Sequence, residues 1–102
     1  MRLNQVTVSV TDVAAAVTFY TTLGLKLIVR SEHYARFMCP EGDSTFSVHL
    51  ADTKMMASTV VYFENDQLAD LVERLKEAGL HFDTDPADQR WLWREARLRD
   101  PS

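Results

Sequence analysis

An α+β fold built from two similar units is the arrangement this sequence predicts, and three observations carry the prediction. A strand pattern, an Asp-led helix, a Gly and a further strand occur twice. The first copy has alternating residues over 6–10, Asp12, an apolar stripe of Val13, Val17 and Tyr20, then Leu23, Gly24 and Leu25. The second has an apolar run over 60–63, Asp66, a stripe of Leu68, Leu71, Val72 and Leu75, then Ala78, Gly79 and Leu80. Asp12 and Asp66 lie 54 positions apart and Gly24 and Gly79 lie 55 apart, so one slipped residue separates the frames. The strand count is four in the first copy and three in the second, which gives a βαβββ unit followed by one that is a strand short. Duplicated units pair their sheets, and the groove between them is a natural place for a ligand. The chain is expected to be one domain of two repeats, over 1–52 and 57–102.

Each element has a local reason. From 3 to 10 the chain alternates Val6, Val8 and Val10 against Gln5, Thr7 and Ser9, as in a strand with one face in the core and one free. Thr11 and Asp12 offer oxygens to the unpaired amides of a helix in which Val13, Ala16, Val17 and Tyr20 share a side, and Gly24 supplies its left-handed stop. A strand over 25–31 follows, then a hairpin of 34–39, the turn Pro40-Glu41-Gly42-Asp43, and 45–50. In that last strand Phe46, Val48 and Leu50 oppose Thr45, Ser47 and His49, so the three polar residues share a face. The connection over 51–57 carries Met55 and Met56, which read equally as a loop plug or a partner contact. The second copy is read as a strand over 59–64 with Val60, Tyr62 and Glu64 on one face, and a helix capped by Asp66 that runs to Ala78. After Gly79 come a strand over 80–84, a loop containing Pro86 and a strand over 91–98. The core is expected from Val6, Val8, Val10, Val17, Phe46, Val48, Leu71 and Leu75.

Composition narrows the function. At 102 residues and 46% hydrophobic content, a core is within reach and burial against a second copy would add to it, so a homodimer is expected. The net charge of −4, with acids and bases interspersed, argues against a nucleic-acid partner. Arg90, Arg94, Arg97 and Arg99 gather near the end but are broken by Glu95 and Asp100, as on a solvated strand face. Cys39 is the only cysteine; it precedes Pro40 with no base nearby and reads as a structural thiol. Without an internal disulfide or a leader-like start, a cytoplasmic setting is expected, and no apolar run approaches the roughly 20 residues that span a bilayer. No Gly-rich phosphate loop, Ser-His-Asp signature or Cys-x-x-Cys pair is present.

The run from Gln5 through Val6, Thr7, Val8, Ser9, Val10 and Thr11 to Asp12 and Val13, then Phe19-Tyr20 with Leu23-Gly24-Leu25, then Phe63-Glu64 through Leu75 to Gly79, resembles the vicinal oxygen chelate superfamily. That superfamily groups glyoxalase I, bleomycin-resistance proteins and extradiol dioxygenases. The closing stretch from Arg94 to Pro101 is similar to the approach to the family's Asp-Pro-x-Gly-Asn turn, so the resemblance spans the chain. It implies paired βαβββ modules whose mixed sheets curl around a cavity, often completed by a second subunit. Metal-using members carry a His or Gln on the first strand, a Glu or His on the fourth, a His opening the second unit and a Glu on the last strand. By position Gln5 matches the first ligand and His49 the second, Val60 falls where the third would be, and the fourth would lie on a strand this chain lacks. A divalent ion (Ni, Zn, Mn or Fe) is therefore expected to bind weakly, if at all.

The remaining candidates each have two readings. His49 can exchange a proton near neutral pH or be a solvated strand residue. Glu64 can be a base in a buried setting or an exposed strand end. Thr7, Ser47 and Tyr62 are candidate substrate contacts, as are Trp91 and Trp93, which share a face and can stack on a planar ligand or anchor a dimer. His33 and His81 read as surface residues. The favoured function is binding of a small organic molecule in a cavity completed by a dimer partner, as in the bleomycin-resistance branch. The alternative is a divalent-metal-dependent lyase, isomerase or dioxygenase held together by Gln5 and His49. A ferredoxin-like βαββαβ interaction domain is the third reading, with one hairpin fewer.

Overall fold

The computed structural model describes residues 2–51, 59–89 and 94–101. They fall into two compact units, Met1–Thr59 with Asp100–Ser102, and Val60–Arg99. The first unit contains β1 (Gln5–Val10), α1 (Val13–Leu23), β2 (Lys26–Arg30), β3 (Tyr34–Met38) and β4 (Thr45–Leu50). The second contains α2 (Leu68–Glu77), β5 (Phe82–Asp88) and β6 (Arg94–Leu98). The chain is thus α+β, and the three strands after α1 set aside the ferredoxin-like order.

In the first unit the strands lie in the order β1-β4-β3-β2. β1 runs parallel to β4, and β4, β3 and β2 are successively antiparallel. Opposite residues share a face, so Val6, Val8 and Val10 line up with Phe46, Val48 and Leu50. α1 covers that face. Asp12 sits in extended backbone and accepts from the Ala15 amide at 3.0 Å, which starts the helix, and Val13, Ala16, Val17 and Tyr20 are its buried stripe. Gly24, at φ 120°, ends it: the Leu25 amide turns back to the Tyr20 carbonyl at 3.0 Å. Tyr20 then packs with its ring centroid 4.7 Å from Phe46 and 5.7 Å from Phe37. Phe37, Ala35, Val10 and Val48 are fully enclosed. Val6, expected in the core, is only half-buried.

The second unit repeats the helix more faithfully than the sequence suggests. α2 starts 55 positions after α1, the same spacing as the two glycines, so the helices align without a slip. In that frame the counterpart of Asp12 is Gln67, not Asp66. Gln67 is the N-cap and makes no side-chain cap bond, and Asn65 Oδ1 instead accepts from the Gln67 amide at 2.8 Å. The expected Asp66 cap is therefore corrected, because Asp66 lies one residue too early to reach the first turn. The buried positions repeat as well: Val72 and Leu75 correspond to Val17 and Tyr20. Leu71, expected in the core, is half-buried and Val72 takes its place. The Leu80 amide reaches the Leu75 carbonyl at 3.0 Å over Gly79, as Leu25 does over Gly24.

Two strand expectations change. No strand forms over 59–64, so the described part of the second unit is one helix and two strands. Among the described residues the two sheets are β1-β4-β3-β2 and β5-β6, and 59–64 belongs to neither. Pro86 lies inside β5 rather than in a loop, at a register shift between Thr84 and Ala87 where a missing amide proton is tolerated. The arginines of β6 and its end are paired with acids: Arg94 with Asp88, Arg97 with Glu95, Arg99 with Asp83. Met55, Met56 and Arg90 lie outside the described residues. No helix among those described is long and apolar enough to cross a membrane.

Asp100 belongs to the first unit and ties the chain end to α1. The Tyr20 hydroxyl donates to Asp100 Oδ2 at 2.8 Å, across 80 positions of sequence. Burial, then this bond and the charge of Asp100, push the Tyr20 phenol above its ordinary 10.0. The neutral phenol is thus favoured in the folded state, and its contribution is complete below pH 10 and lost as the pH climbs further, where only the unfolded chain ionises. Tyr20→Phe is expected to destabilise the protein by about 1–2 kcal/mol at neutral pH, and the gap between the two urea midpoints should narrow above pH 10. Phe37→Ala should cost about 3–5 kcal/mol, and Leu71→Ala distinctly less, in the same urea measurements.

Candidate functional site

The face of the first sheet opposite α1 is polar, and register decides which residues meet on it. Gln5 lies opposite Thr45, which lies opposite Met38, which lies opposite Lys26. The next row is Thr7, Ser47, Arg36 and Val29, and the third is Ser9, His49 and Tyr34. Short hydroxyl side chains on β4 sit beneath longer ones from β1 and β3. Ser47 is fully buried and Thr45 nearly so.

These groups form one hydrogen-bond network. Gln5 Nε2 donates to Ser47 Oγ at 3.0 Å and approaches Thr7 Oγ1 at 3.3 Å and the Tyr34 hydroxyl at 3.4 Å. Ser47 Oγ and Thr7 Oγ1 are 2.6 Å apart. On the other side of the amide, Thr45 Oγ1 lies 3.1 Å from Gln5 Oε1, and it accepts from Arg36 Nε at 3.3 Å and Nη2 at 3.2 Å. The acceptor role of Gln5 Oε1 toward Thr45 and the donor role of Nε2 toward Ser47 fix the amide's orientation. Among the described residues no buried side-chain polar atom lacks a partner.

The ligand pair expected from the resemblance, Gln5 with His49, is not brought together. His49 pairs with Ser9, four residues beyond Gln5, about 13 Å along the strand. Its Nδ1–H donates to the Leu50 carbonyl at 2.8 Å and the side chain is exposed. The fourth-strand residues lying against Gln5 are Thr45 and Ser47, whose neutral hydroxyls are poor ligands for a divalent ion, and Val60 has no donor atom. Among the described residues no three His, Cys, Asp or Glu side chains converge. The donor set does not fit the family's metal.

Thr7 and Ser47, the candidate substrate contacts of β1 and β4, sit together. Glu64 and Tyr62 lie in the second unit, both exposed, and the face they were expected to share with Val60 does not exist without a strand. Trp91 and Trp93 lie outside the described residues. Tyr34 and Arg36 are the members that the sequence reading missed. Their signal was present in the alternation of Tyr34, Arg36 and Met38 with Ala35 and Phe37 on a strand paired to the Thr45, Ser47, His49 face. A depression of about 460 Å³ opens elsewhere, at the start of α1 beside Asp12, Arg30 and Glu32, and includes none of these residues.

Residues 2–102 match the Glyoxalase/Bleomycin resistance protein/Dioxygenase superfamily. No curated protein matches the sequence. Among solved structures, a member of that superfamily from Sphaerobacter thermophilus is similar with a TM-score of 0.80 at 18% identity, over 99% of this chain and 90% of its own. The bleomycin resistance determinant encoded on the transposon Tn5 gives 0.79 at 18% identity, with the same coverage of 99% and 90%. A lactoylglutathione lyase from Agrobacterium tumefaciens gives 0.75 at 14% identity, over 98% of this chain and 86% of its own. At these identities the likeness is one of fold, and with the match along nearly the whole sequence the chain belongs to the glyoxalase/bleomycin resistance protein/dioxygenase superfamily.

Proposed function

We propose that the protein binds a small organic molecule on the polar face of its first sheet, without a metal ion, and that a second copy of the chain completes the cavity. The observation that carries this reading is the network of Gln5, Thr7, Tyr34, Arg36, Thr45 and Ser47. It presents donors and acceptors from three strands on one face and holds each in place through its neighbours. A rigid array of hydrogen-bonding groups orients a ligand at little entropic cost on binding. The fold shared with a bleomycin resistance determinant supports the same reading. On this view Gln5 acts as the hub of the network rather than as a ligand to an ion.

A fragment set followed by amide chemical shifts should move the signals of Gln5, Thr7, Tyr34 and Ser47, with affinities unchanged by EDTA. Gln5→Ala should weaken that binding by roughly tenfold, because it frees the Thr45 and Ser47 side chains that Gln5 holds in place. His49→Ala should leave it unchanged, and the double variant should show additive effects within about 0.5 kcal/mol, as for separated sites. A stoichiometric nickel, zinc, manganese or iron ion held more tightly than about 1 μM and released by Gln5→Ala would overturn the reading in favour of a metal-dependent lyase, isomerase or dioxygenase. Sedimentation at micromolar concentration should show a dimer; monomer alone would remove the second copy from the cavity.

A further inference from the structure

The four strands of the first sheet carry no acidic residue. Their sequences hold Lys26, Arg30, Arg36 and His49 and not one Asp or Glu. The whole chain, by contrast, has 15 acids to 11 Lys and Arg. The nearest acids along the chain among the described residues, Asp12, Glu32, Glu41 and Asp43, are all exposed and lie beyond the strand ends, at the start of α1 and in the turns of the hairpin. Lys26, Arg36 and His49 lie on the polar face by register, while Arg30 pairs with Ala35 and belongs to the other. An acidic protein has thus kept one sheet face positive.

Arg36 is placed to use that field. It is half-buried at the middle of the face, and Nε and Nη2 both point to a single acceptor, Thr45 Oγ1. No carboxylate lies within ion-pair distance of it among the described residues, and no acceptor meets Nη1. The Nη1–Nη2 edge is one of the two edges by which a guanidinium grips a planar carboxylate through parallel N–H···O bonds. Beside it stand two exposed apolar side chains on the same face. Val29 lies directly opposite Arg36 and is 48% exposed, and Met38, two residues along the strand, is 44% exposed.

We infer that the Nη1–Nη2 edge of Arg36 anchors the carboxylate of a small organic acid whose apolar body lies over Val29 and Met38. This rests on the ligand-binding reading above and names the class of ligand. Thr45 holds the guanidinium plane and Gln5 holds Thr45, so the network fixes the direction in which the charge is offered. Tyr34, two residues from Arg36 on the same face, has a hydroxyl proton to donate to a second polar group of the ligand.

Benzoate and its neutral counterpart benzamide separate the two levels of the proposal. Titrated into the full-length protein under amide detection, benzoate should shift Val29, Arg36, Met38 and Ser47 and bind at least about tenfold more tightly than benzamide. Arg36→Gln should abolish that preference, and Arg36→Lys, which keeps the charge and loses the fork, should fall between. Arg36→Lys also serves as the test if Arg36→Gln does not fold. Equal binding of the two compounds on this face would overturn the carboxylate anchor and leave the ligand face standing. Absence of shifts on this face from either compound would overturn both. Inorganic phosphate binding more tightly than benzoate with the same dependence on Arg36 would assign the edge to a phosphoryl group and overturn the carboxylate.

Discussion

β1 and β4 run side by side in the same direction, and the rest of the first unit follows from that pairing. Parallel neighbours cannot be joined by a tight turn; the chain needs a crossover long enough to return to the same end of the sheet. Residues 11–44 supply it as α1, β2, β3 and a turn, and each of these finds its place against the pair. β3 adds to the free edge of β4 and β2 to β3, while α1 covers one face. The pairing also sets which residues meet across some 40 positions of sequence. Gln5 meets Thr45 because the register is this one, and a shift by a single residue would turn the polar side chains into the helix and the valines toward solvent.

β4 is buried on both sides for two different reasons. Phe46 and Val48 are buried by α1 and the aromatic cluster of Tyr20 and Phe37. Thr45 and Ser47 are buried by the side chains of their own face, Gln5, Tyr34 and Arg36. A buried hydroxyl without a partner costs about 1–3 kcal/mol, so the second kind of burial persists only because each hydroxyl has a bond. The network is therefore part of what holds the sheet as well as what a ligand would meet. A change at Gln5 reaches Thr45, Ser47, Thr7 and Tyr34 together.

Local features of the fold were legible in the sequence because their causes are local. The Asp12 cap, the Gly24 stop, the Val13, Ala16, Val17, Tyr20 stripe and the two-faced alternation of β1 and β4 each depend on a few adjacent residues. The strand expected over 59–64 failed although its apolar run has strand character, because a strand is a property of a pair and not of one run alone; among the described residues these positions belong to neither sheet. The site divides the same way. That Thr45, Ser47 and His49 share a face was legible from alternation. Which of them lies beside Gln5 depends on register between distant strands, and the answer, Thr45 and Ser47 in place of His49, could not be read from either strand alone. Leu71 gave way to Val72 because the helix starts two residues after Asp66 rather than directly after it.

Register also decides where binding energy can come from on this face. Gln5 is already satisfied on both ends of its amide, so a ligand that bonds to it exchanges one hydrogen bond for another and gains little. The same holds for Ser47, Thr7 and Thr45. Arg36 differs, because its Nη1 meets no protein acceptor among the described residues, and a charge-assisted bond to it displaces only water. The surrounding hydroxyls cannot neutralise the guanidinium, yet they hold its plane and keep part of it out of solvent, where each new bond is stronger than in bulk water. Neutral neighbours that look like the recognition surface are then the scaffold, and the single cation they steady is where most of the affinity for an anionic ligand would arise.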